Sequence, residues 1–406
     1  MAVTDKPRLA VVSPFLDKQH GTERCVLEWI SQLTGAFEIH VYSQCVEDLD
    51  LSTIVWHRIP KLPGPHLFNF VWWLIGNRLW RTWGRRFRGV GYDLIFSPGP
   101  NCLDADAMSV HVLFAEYTCR NSTRLAFAQN PASSWGRLLH RKLYYSLVML
   151  LERLAYTRQK IGLIPVSRKI AEDLGRFYGR RDHLAVLYAG VDHDVFNPLR
   201  SAALRSEARA KIGVSVERFL LLLIGNDWRN KGLPALLNAL SHLRGLPIDL
   251  VVVGQDESEP YRALARGYDI ADRVHFQPLR RDVEFYYAAA DAYAGPSLED
   301  AFALPVAEAM ACGLPVIASA AAGVSEIITN GIDGLVLQDP EDANALAVMI
   351  QRLYEDGDLC AAIGKKAAET TRQYTWERNG AELSQIFQEI LRRKATLPTQ
   401  SVGQEL

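Results

Sequence analysis

The sequence predicts an α/β protein built as two doubly wound, Rossmann-like domains, and three observations predict it. Short apolar runs alternate with amphipathic helical stretches along most of the 406 residues. The alternation restarts near Phe219, so the pattern is doubled. Residues 292–319 read as strand, acidic loop, helix and strand in direct succession, which puts a loop and a helix N-terminus at the carboxyl end of a parallel sheet. The length agrees, since it exceeds what one core sustains and suits two domains of about 200 residues each.

The first half opens on the apolar strand 9–12 and a loop that ends at Gly21. From Thr22 a helix is expected, because Val26, Ile30 and Leu33 recur at helical spacing. Strands are predicted at 39–42, 93–96, 108–112, 161–166 and 185–188. Between the last two, Ser167 suits an N-cap for a helix carrying Ile170, Leu174 and Phe177. The second half repeats this grammar with strands at 219–224, 250–253, 274–276, 292–294, 316–319 and 335–337. A helix over 233–243 follows the first of them, and Asp339 with Pro340 reads as the N-cap and N1 pair of the helix after the last. Gly313, suited to a left-handed C′ position, and Pro315 end the helix behind the acidic loop.

Composition narrows the class. The hydrophobic fraction of 49% and charged fraction of 22% are those of ordinary globular chains. Six cysteines without paired spacing argue against zinc and a disulfide framework and suit a reducing cytosol. The polar residues 1–8 lead straight into a strand, so no signal peptide is expected, and no apolar run approaches the roughly 18 residues of a membrane span. The net charge of −1 hides an asymmetry: residues 1–200 carry 25 Lys and Arg against 18 Asp and Glu, and residues 201–406 carry 20 against 28. A basic first half points to an anionic partner. No nucleic-acid motif accompanies it, so the expectation is a membrane surface and not nucleic acid. Residues 68–88 interleave aromatics with five arginines. That suits a membrane interface, with Arg81, Arg85 and Arg86 on lipid phosphates, and equally a core-packed helix with a solvated basic face.

The densest information lies at 297–319. Glu299 and Asp300 fall in the acidic loop, and Glu308 is expected on the first turn of the helix that follows. Helix N-terminal N–H groups suit phosphate and a nearby carboxylate suits sugar or ribose hydroxyls, so a nucleotide sugar is the natural ligand class. Phe302, Pro305, Glu308, Ala309, Met310, Ala311, Gly313, Pro315 and Val316 together resemble the signature of the retaining family-four glycosyltransferases of the GT-B fold. That family usually has two glutamates separated by seven residues and a Gly after the Phe. Here Asp300 holds the first acidic position and Ala303 replaces the Gly.

The resemblance implies a GT-B enzyme whose two Rossmann-like domains face a central cleft. Residues 1–197 would form the acceptor-side domain and 198–375 the nucleotide-sugar domain. Residues 376–395 would form a helix crossing back to the first domain, and 396–406 a disordered tail. It implies that Arg229 and Lys231, in the loop Gly-Asn-Asp-Trp-Arg-Asn-Lys-Gly at 225–232, compensate the leaving diphosphate; solvated surface cations are the bland alternative. Glu308 would accept from the ribose, and Asp300 or Glu299 would meet hydroxyls of the transferred sugar. Phe302, Ala303 and Leu304 would border sugar and phosphates, and Leu279 would lie at the nucleobase edge. His111 matches a histidine near the donor sugar, against the alternative of a satisfied structural residue. Gly21 and Thr22 resemble a glycine-rich loop, with His20 where a second Gly is common.

The implied reaction moves a sugar from a UDP- or GDP-sugar, with retention and with neither metal nor cofactor, to a lipid-linked or cell-surface glycan or glycolipid. The setting would be cytoplasmic, at the inner face of the cell membrane. A nucleotide-sugar epimerase of the same fold and a non-catalytic sugar-nucleotide-binding subunit stay open as alternatives.

Overall fold

The computed structural model describes residues 6–18, 20–120 and 135–396. The chain divides into two bodies, residues 1–188 with 376–406 and residues 189–375. In the first, the strands are β1 (Arg8–Val12), β2 (Phe15–Leu16), β3 (Glu38–Ser43), β4 (Cys45–Val46), β5 (Val55–Arg58), β6 (Leu94–Pro98), β7 (Ala107–Val110) and β8 (Gly162–Pro165). The helices between them are α1 (Gly21–Leu33), α2 (His66–Arg88), α3 (Phe114–Arg120), α4 (Trp135–Tyr156) and α5 (Arg168–Tyr178). Six strands form one parallel sheet in the order β5-β3-β1-β6-β7-β8. Leu9, Ala10, Val11 and Val12 are all buried, as a strand in the middle of a parallel sheet covered on both faces requires.

The second body contains α6 (Pro198–Ile212), β9 (Phe219–Ile224), α7 (Leu233–His242), β10 (Ile248–Val253), α8 (Glu259–Gly267), β11 (Val274–Gln277), α9 (Glu284–Ala289) and β12 (Ala292–Gly295). It continues through α10 (Leu304–Ala311), β13 (Val316–Ser319), β14 (Leu335–Leu337), α11 (Ala343–Glu355) and α12 (Gly357–Thr371). Its parallel sheet runs β11-β10-β9-β12-β13-β14. Each body thus has the same order, with the third, second, first, fourth, fifth and sixth sheet strands side by side. That order reverses direction once, between β1 and β6 in the first body and between β9 and β12 in the second. Crevices at the carboxyl ends of such strand pairs are where open α/β sheets bind ligands.

The last helix, α13 (Trp376–Thr396), belongs to the first body. Phe387 packs against Phe37 and Phe96 at centroid distances of 6.0 and 5.3 Å, and the Trp29 indole N–H donates to Asn379 Oδ1. Gly380 is needed there, because a Cβ would come within 2.3 Å of Gln32 Cβ. Of the tail expected at 396–406, Thr396 is the last residue of α13 and 397–406 lie outside the described residues. The chain enters the second body after Tyr188, ahead of the 197/198 boundary read from the sequence. Contacts with the second body hold residues 189–197 there. Val191 N–H donates to Tyr374 C=O (2.9 Å), His193 Nε2 donates to Thr371 C=O (3.0 Å), and Phe196 lies edge-on to Tyr287 (5.6 Å).

Several local expectations need correction. Residues 185–188 are not a strand; Leu184 makes an isolated bridge to Leu163, and Ala185 and Leu187 donate to the C=O groups of Leu163 and Pro165. The helix after β14 is capped by Asp342, whose carboxylate accepts from Ala345 N, while Asp339 holds a turn by accepting from Glu341 N. Glu308 lies in the second turn of α10, because the helix begins only at Leu304. Ser167 does cap α5 through Ile170 N, and Gly313 is left-handed at φ 81°.

Arg81 is the largest correction. It falls on the face of α2 that carries Trp73 and Asn77, and is 5% exposed rather than directed at solvent. Its guanidinium donates to both oxygens of Asp104 (2.7 and 3.1 Å) and to Asn77 Oδ1 (2.9 Å). Asp104 is about half exposed and can be rehydrated, so Arg81→Ala is expected to cost about 1.5–3 kcal/mol, the range for hydrogen bonds to charged groups. The midpoint of urea unfolding at constant m checks this; a midpoint equal to that of the parent would mean the pair contributes nothing.

Candidate active site

At the β9/β12 crevice two loops meet, 225–232 after β9 and 296–303 after β12. Leu298 N–H donates to Asn230 C=O (2.7 Å), and the Asn230 side-chain amide donates to Glu299 C=O (2.8 Å). Gly232, at φ 79°, permits this approach, since a Cβ would lie 1.9 Å from Pro296 O. The first loop is fixed from its other side by Asp256, whose carboxylate accepts from Asp227 N (2.9 Å) and Trp228 N (2.8 Å). Trp228 is buried against Phe276 and Tyr261 at 5.2 and 5.6 Å, and Gly254 is required beneath it, because a Cβ there would lie 2.6 Å from the indole nitrogen.

These constraints bring Lys231 Nζ onto Asp300 Oδ2 as an ion pair, with the two side chains only 20% and 14% exposed. The other Asp300 oxygen accepts from Ala303 N (2.9 Å) and Phe302 N (3.3 Å). Asp300 therefore organises the turn into α10 as well as holding the lysine. Ala303 caps that turn at φ 69°, a left-handed conformation that costs an L-residue about 1–2 kcal/mol and glycine almost nothing. The strain is tolerated because Asp300 and the pairing of Val324 N–H with Phe302 C=O (2.8 Å) fix the segment.

Glu308 is buried, and its Oε2 accepts from the Tyr287 hydroxyl at 2.7 Å. Burial raises the Tyr287 phenol well above its ordinary value, with the carboxylate beside it acting in the same direction, so the hydroxyl stays a donor. Arg229 is exposed, with no side-chain hydrogen bond or ion pair among the described residues. Leu279 follows β11, two strands from β9 and about 10 Å away at ordinary strand spacing. Of the predicted residues in this body, Lys231, Asp300, Phe302 and Ala303 form one bonded cluster with the Glu299 backbone, and Leu304 begins α10 directly after it. Glu308 lies one turn further along α10, and Arg229 and Leu279 lie outside the cluster. Asn230, Asp256 and Tyr287 were missed, since each acts on a partner far away in sequence.

In the first body, Gly21 and Thr22 open α1 at the carboxyl side of β1. His20 precedes them with its ring Nδ1 against the Asp17 carboxylate (2.9 Å), and makes no side-chain cap to the helix. His111 is the first residue beyond β7, because the strand expected over 108–112 ends at Val110. Its Nε2 lies 3.1 Å from Ser109 Oγ, and its ring tilts against Trp29 at 5.6 Å. Enclosure by the protein pushes this imidazole down to about 4 from its usual 6.5. At neutral pH it is uncharged, a hydrogen-bonding group rather than a cation. Between pH 6.5 and about 4 the unfolded chain binds this proton and the folded chain does not, so stability falls as pH falls through that window. The thermal midpoint is expected to decline there, and less steeply in His111→Asn; an identical slope in the variant would assign the acid loss to other groups.

Residues 205–370 match the family model of glycosyl transferases group 1. Among curated proteins, the chain is 34% identical over 243 residues to D-inositol 3-phosphate glycosyltransferase of Xylanimonas cellulosilytica, covering 57% of this chain and 58% of that protein. It is 26% identical over 267 residues to the lipopolysaccharide glucosyltransferase WaaG of Escherichia coli K12, covering 64% and 71%. The chain thus spans little more than half the length of the first of these relatives. Among solved structures, WaaG superposes with a TM-score of 0.75 at 20% identity, covering 93% of this chain and 99% of that one. Anabaena HepE, solved in complex with UDP and glucose, gives 0.67 at 18% identity, covering 96% and 100%. The two parallel-sheet bodies are those of the GT-B fold.

Proposed function

We propose that this chain, whose residues 205–370 match the family model of glycosyl transferases group 1, carries out a metal-independent transfer of a sugar, with retention, from a nucleoside-diphosphate sugar to a lipid-linked or cell-surface glycan. The observation that carries this is the Lys231–Asp300 pair at the β9/β12 crevice, where the first turn of α10 begins. An ammonium has three donors, so Lys231 can keep Asp300 and still donate to a phosphate oxygen. The N-terminal N–H groups of α10 face the same crevice and favour anionic oxygens. Arg229, exposed on the same loop, is the second cation for the diphosphate, and Glu308, steadied by Tyr287, is the ribose acceptor.

In the proposed step the bond between the sugar carbon and the donor phosphate oxygen breaks, and the acceptor oxygen bonds that carbon on the same face. The departing phosphate oxygen takes the acceptor's proton. The protein stabilises the charge that gathers on the diphosphate, an effect commonly worth about 10²–10³-fold per donor. For His111, Gly21 and Thr22, on the first body, the proposed roles are those the resemblance implies, with His111 a neutral hydrogen-bonding group. Phe302, Ala303 and Leu304 would border the donor, and Leu279 its base.

The HepE complex with UDP and glucose supports the donor class, and the lipopolysaccharide in WaaG's name supports the acceptor class, whereas the D-inositol 3-phosphate in the other relative's name is not a glycan. A thermal-shift panel of UDP-, GDP- and ADP-sugars is the direct test. Ligand at a hundred times its Kd should stabilise by about 2.7 kcal/mol, a shift of some degrees. No shift with any of them would defeat the reading. Product formed with inverted anomeric configuration would defeat retention, and full activity lost to a chelator would defeat metal independence.

A further inference from the structure

Helices α2 and α4 lie on the first body and touch through His66, Phe70 and Tyr144, with ring centroids 4.8 and 5.4 Å apart. Each turns an apolar row toward solvent. On α2 the row is Phe68, Val71, Ile75, Leu79, Trp83 and Phe87, between 38% and 71% exposed. Its spacing of three and then four residues follows one side of a helix about 34 Å long. On α4, Leu139, Leu143, Leu150 and Leu154 are 41–58% exposed at the same kind of spacing. Scattered exposed apolar residues are normal, but continuous rows on adjoining helices mark an interaction surface. Elsewhere the contrast is plain: the second body exposes only Leu199, Val216, Ile332 and Val348 among its described large apolar side chains.

The charges beside these rows have one sign. Arg78, Arg85 and Arg86 on α2 and Lys142 and Arg153 on α4 are exposed. Neither helix shows solvent an acid: α2 has none, and the single one on α4, Glu152, is fully buried, accepting from Phe114 N, Ala115 N and the Tyr178 hydroxyl. We propose that α2 and α4 form a docking surface for an anionic lipid bilayer, with the apolar rows at the acyl boundary and the arginines and lysine on headgroup phosphates.

Three observations favour this occupant. No described helix is long and apolar enough to cross a membrane, so the surface would lie on a bilayer rather than in it. A second copy of the same face would set basic side chains against basic ones, with no acid on either helix to relieve them. Trp83 and Phe87 stand among the arginines toward the end of α2, the aromatic and cationic mixture that suits a headgroup region. Arg81, pointing inward to Asp104, is not part of the surface.

The test is co-sedimentation of the full chain, without nucleotide, with vesicles of phosphatidylcholine alone or mixed with phosphatidylglycerol. Leaving out nucleotide keeps the outcome separate from the donor assignment. The parent should bind the mixed vesicles at least tenfold more tightly than the neutral ones, and less as salt rises. Two triple variants, Ile75→Ser with Leu79→Ser and Phe87→Ser, and Leu143→Ser with Leu150→Ser and Leu154→Ser, should each lose at least tenfold in binding. Arg78→Gln with Arg85→Gln and Arg86→Gln should remove the preference for anionic vesicles. Leu199→Ser with Val348→Ser should bind like the parent. All of these positions are exposed, and matching thermal midpoints confirm folding. The proposal is overturned if the parent ignores both vesicle types or if the apolar variants bind as well as the parent. A dimer that these substitutions dissociate, with no vesicle binding, also overturns it in favour of self-association.

Discussion

Replacing Lys231 by alanine is expected to lower turnover by about 10²-fold or more, with the protein still folded. The side chain is one-fifth exposed and its ammonium is already committed to Asp300, on a loop anchored by Asn230, Asp256 and Gly232. Its loss has two consequences at the crevice. A donor for the departing diphosphate disappears, and the Asp300 carboxylate is left without its cation where a second negative group has to bind. Donor affinity should therefore fall along with the rate. Arginine should restore little, because a planar fork cannot occupy the space against Gly225 that the lysine stem fills. Initial rates beside nucleoside-diphosphate affinity and the thermal midpoint make the measurement. Near-normal turnover in a folded variant would place this lysine outside the site.

Asp300→Asn should depress turnover far more than it depresses nucleotide affinity. The amide oxygen can still accept from Ala303 N, so the turn into α10 is kept while the charge facing Lys231 is removed. Glu299→Gln should be mild, because the backbone carbonyl that accepts from Asn230 is kept in the variant. Glu308→Gln should act on the nucleotide itself, since its amide oxygen can still accept from Tyr287 while the charge expected at the ribose is gone. The Lys231→Ala, Asp300→Asn double variant should be little worse than the more damaged single one, as for groups that act as a unit. Strict additivity would mean that the two serve separate steps. An inactive Glu299→Gln with a normal Asp300→Asn would shift the acidic position of the motif by one residue.

The parts of this molecule that were legible in the sequence are those set by local chemistry. Buried parallel strands such as β9 and β10 announce themselves as continuous aliphatic runs, and Ser167 and Gly313 by residue types that suit a cap and a left-handed turn. The loop residues Lys231 and Asp300 were legible as a motif, though not as a pair, because 69 positions separate them. Tyr287 was invisible for a similar reason: nothing near it in sequence marks a tyrosine as the donor to Glu308. Arg81 was misread because arginine is usually solvated, and only the register of α2 shows it on the face shared with Trp73 and Asn77. The two-residue strands β2 and β4 are too short to carry a period.

The placement of α13 has a consequence for the order in which the molecule can form during synthesis. The second body is one continuous stretch, and its two ends are paired where Val191 donates to Tyr374. It can mature as soon as it leaves the ribosome, and residues 189–375 are a natural unit to excise or to permute circularly. The first body must wait. Its core stays open until α13 emerges, some two hundred residues after β8, to bring Phe387 and Asn379 against Phe37, Phe96 and Trp29. A piece that stops at Tyr188 would leave Trp29, Phe37 and Phe96 without their cover, and is expected to aggregate where the excised second body remains soluble.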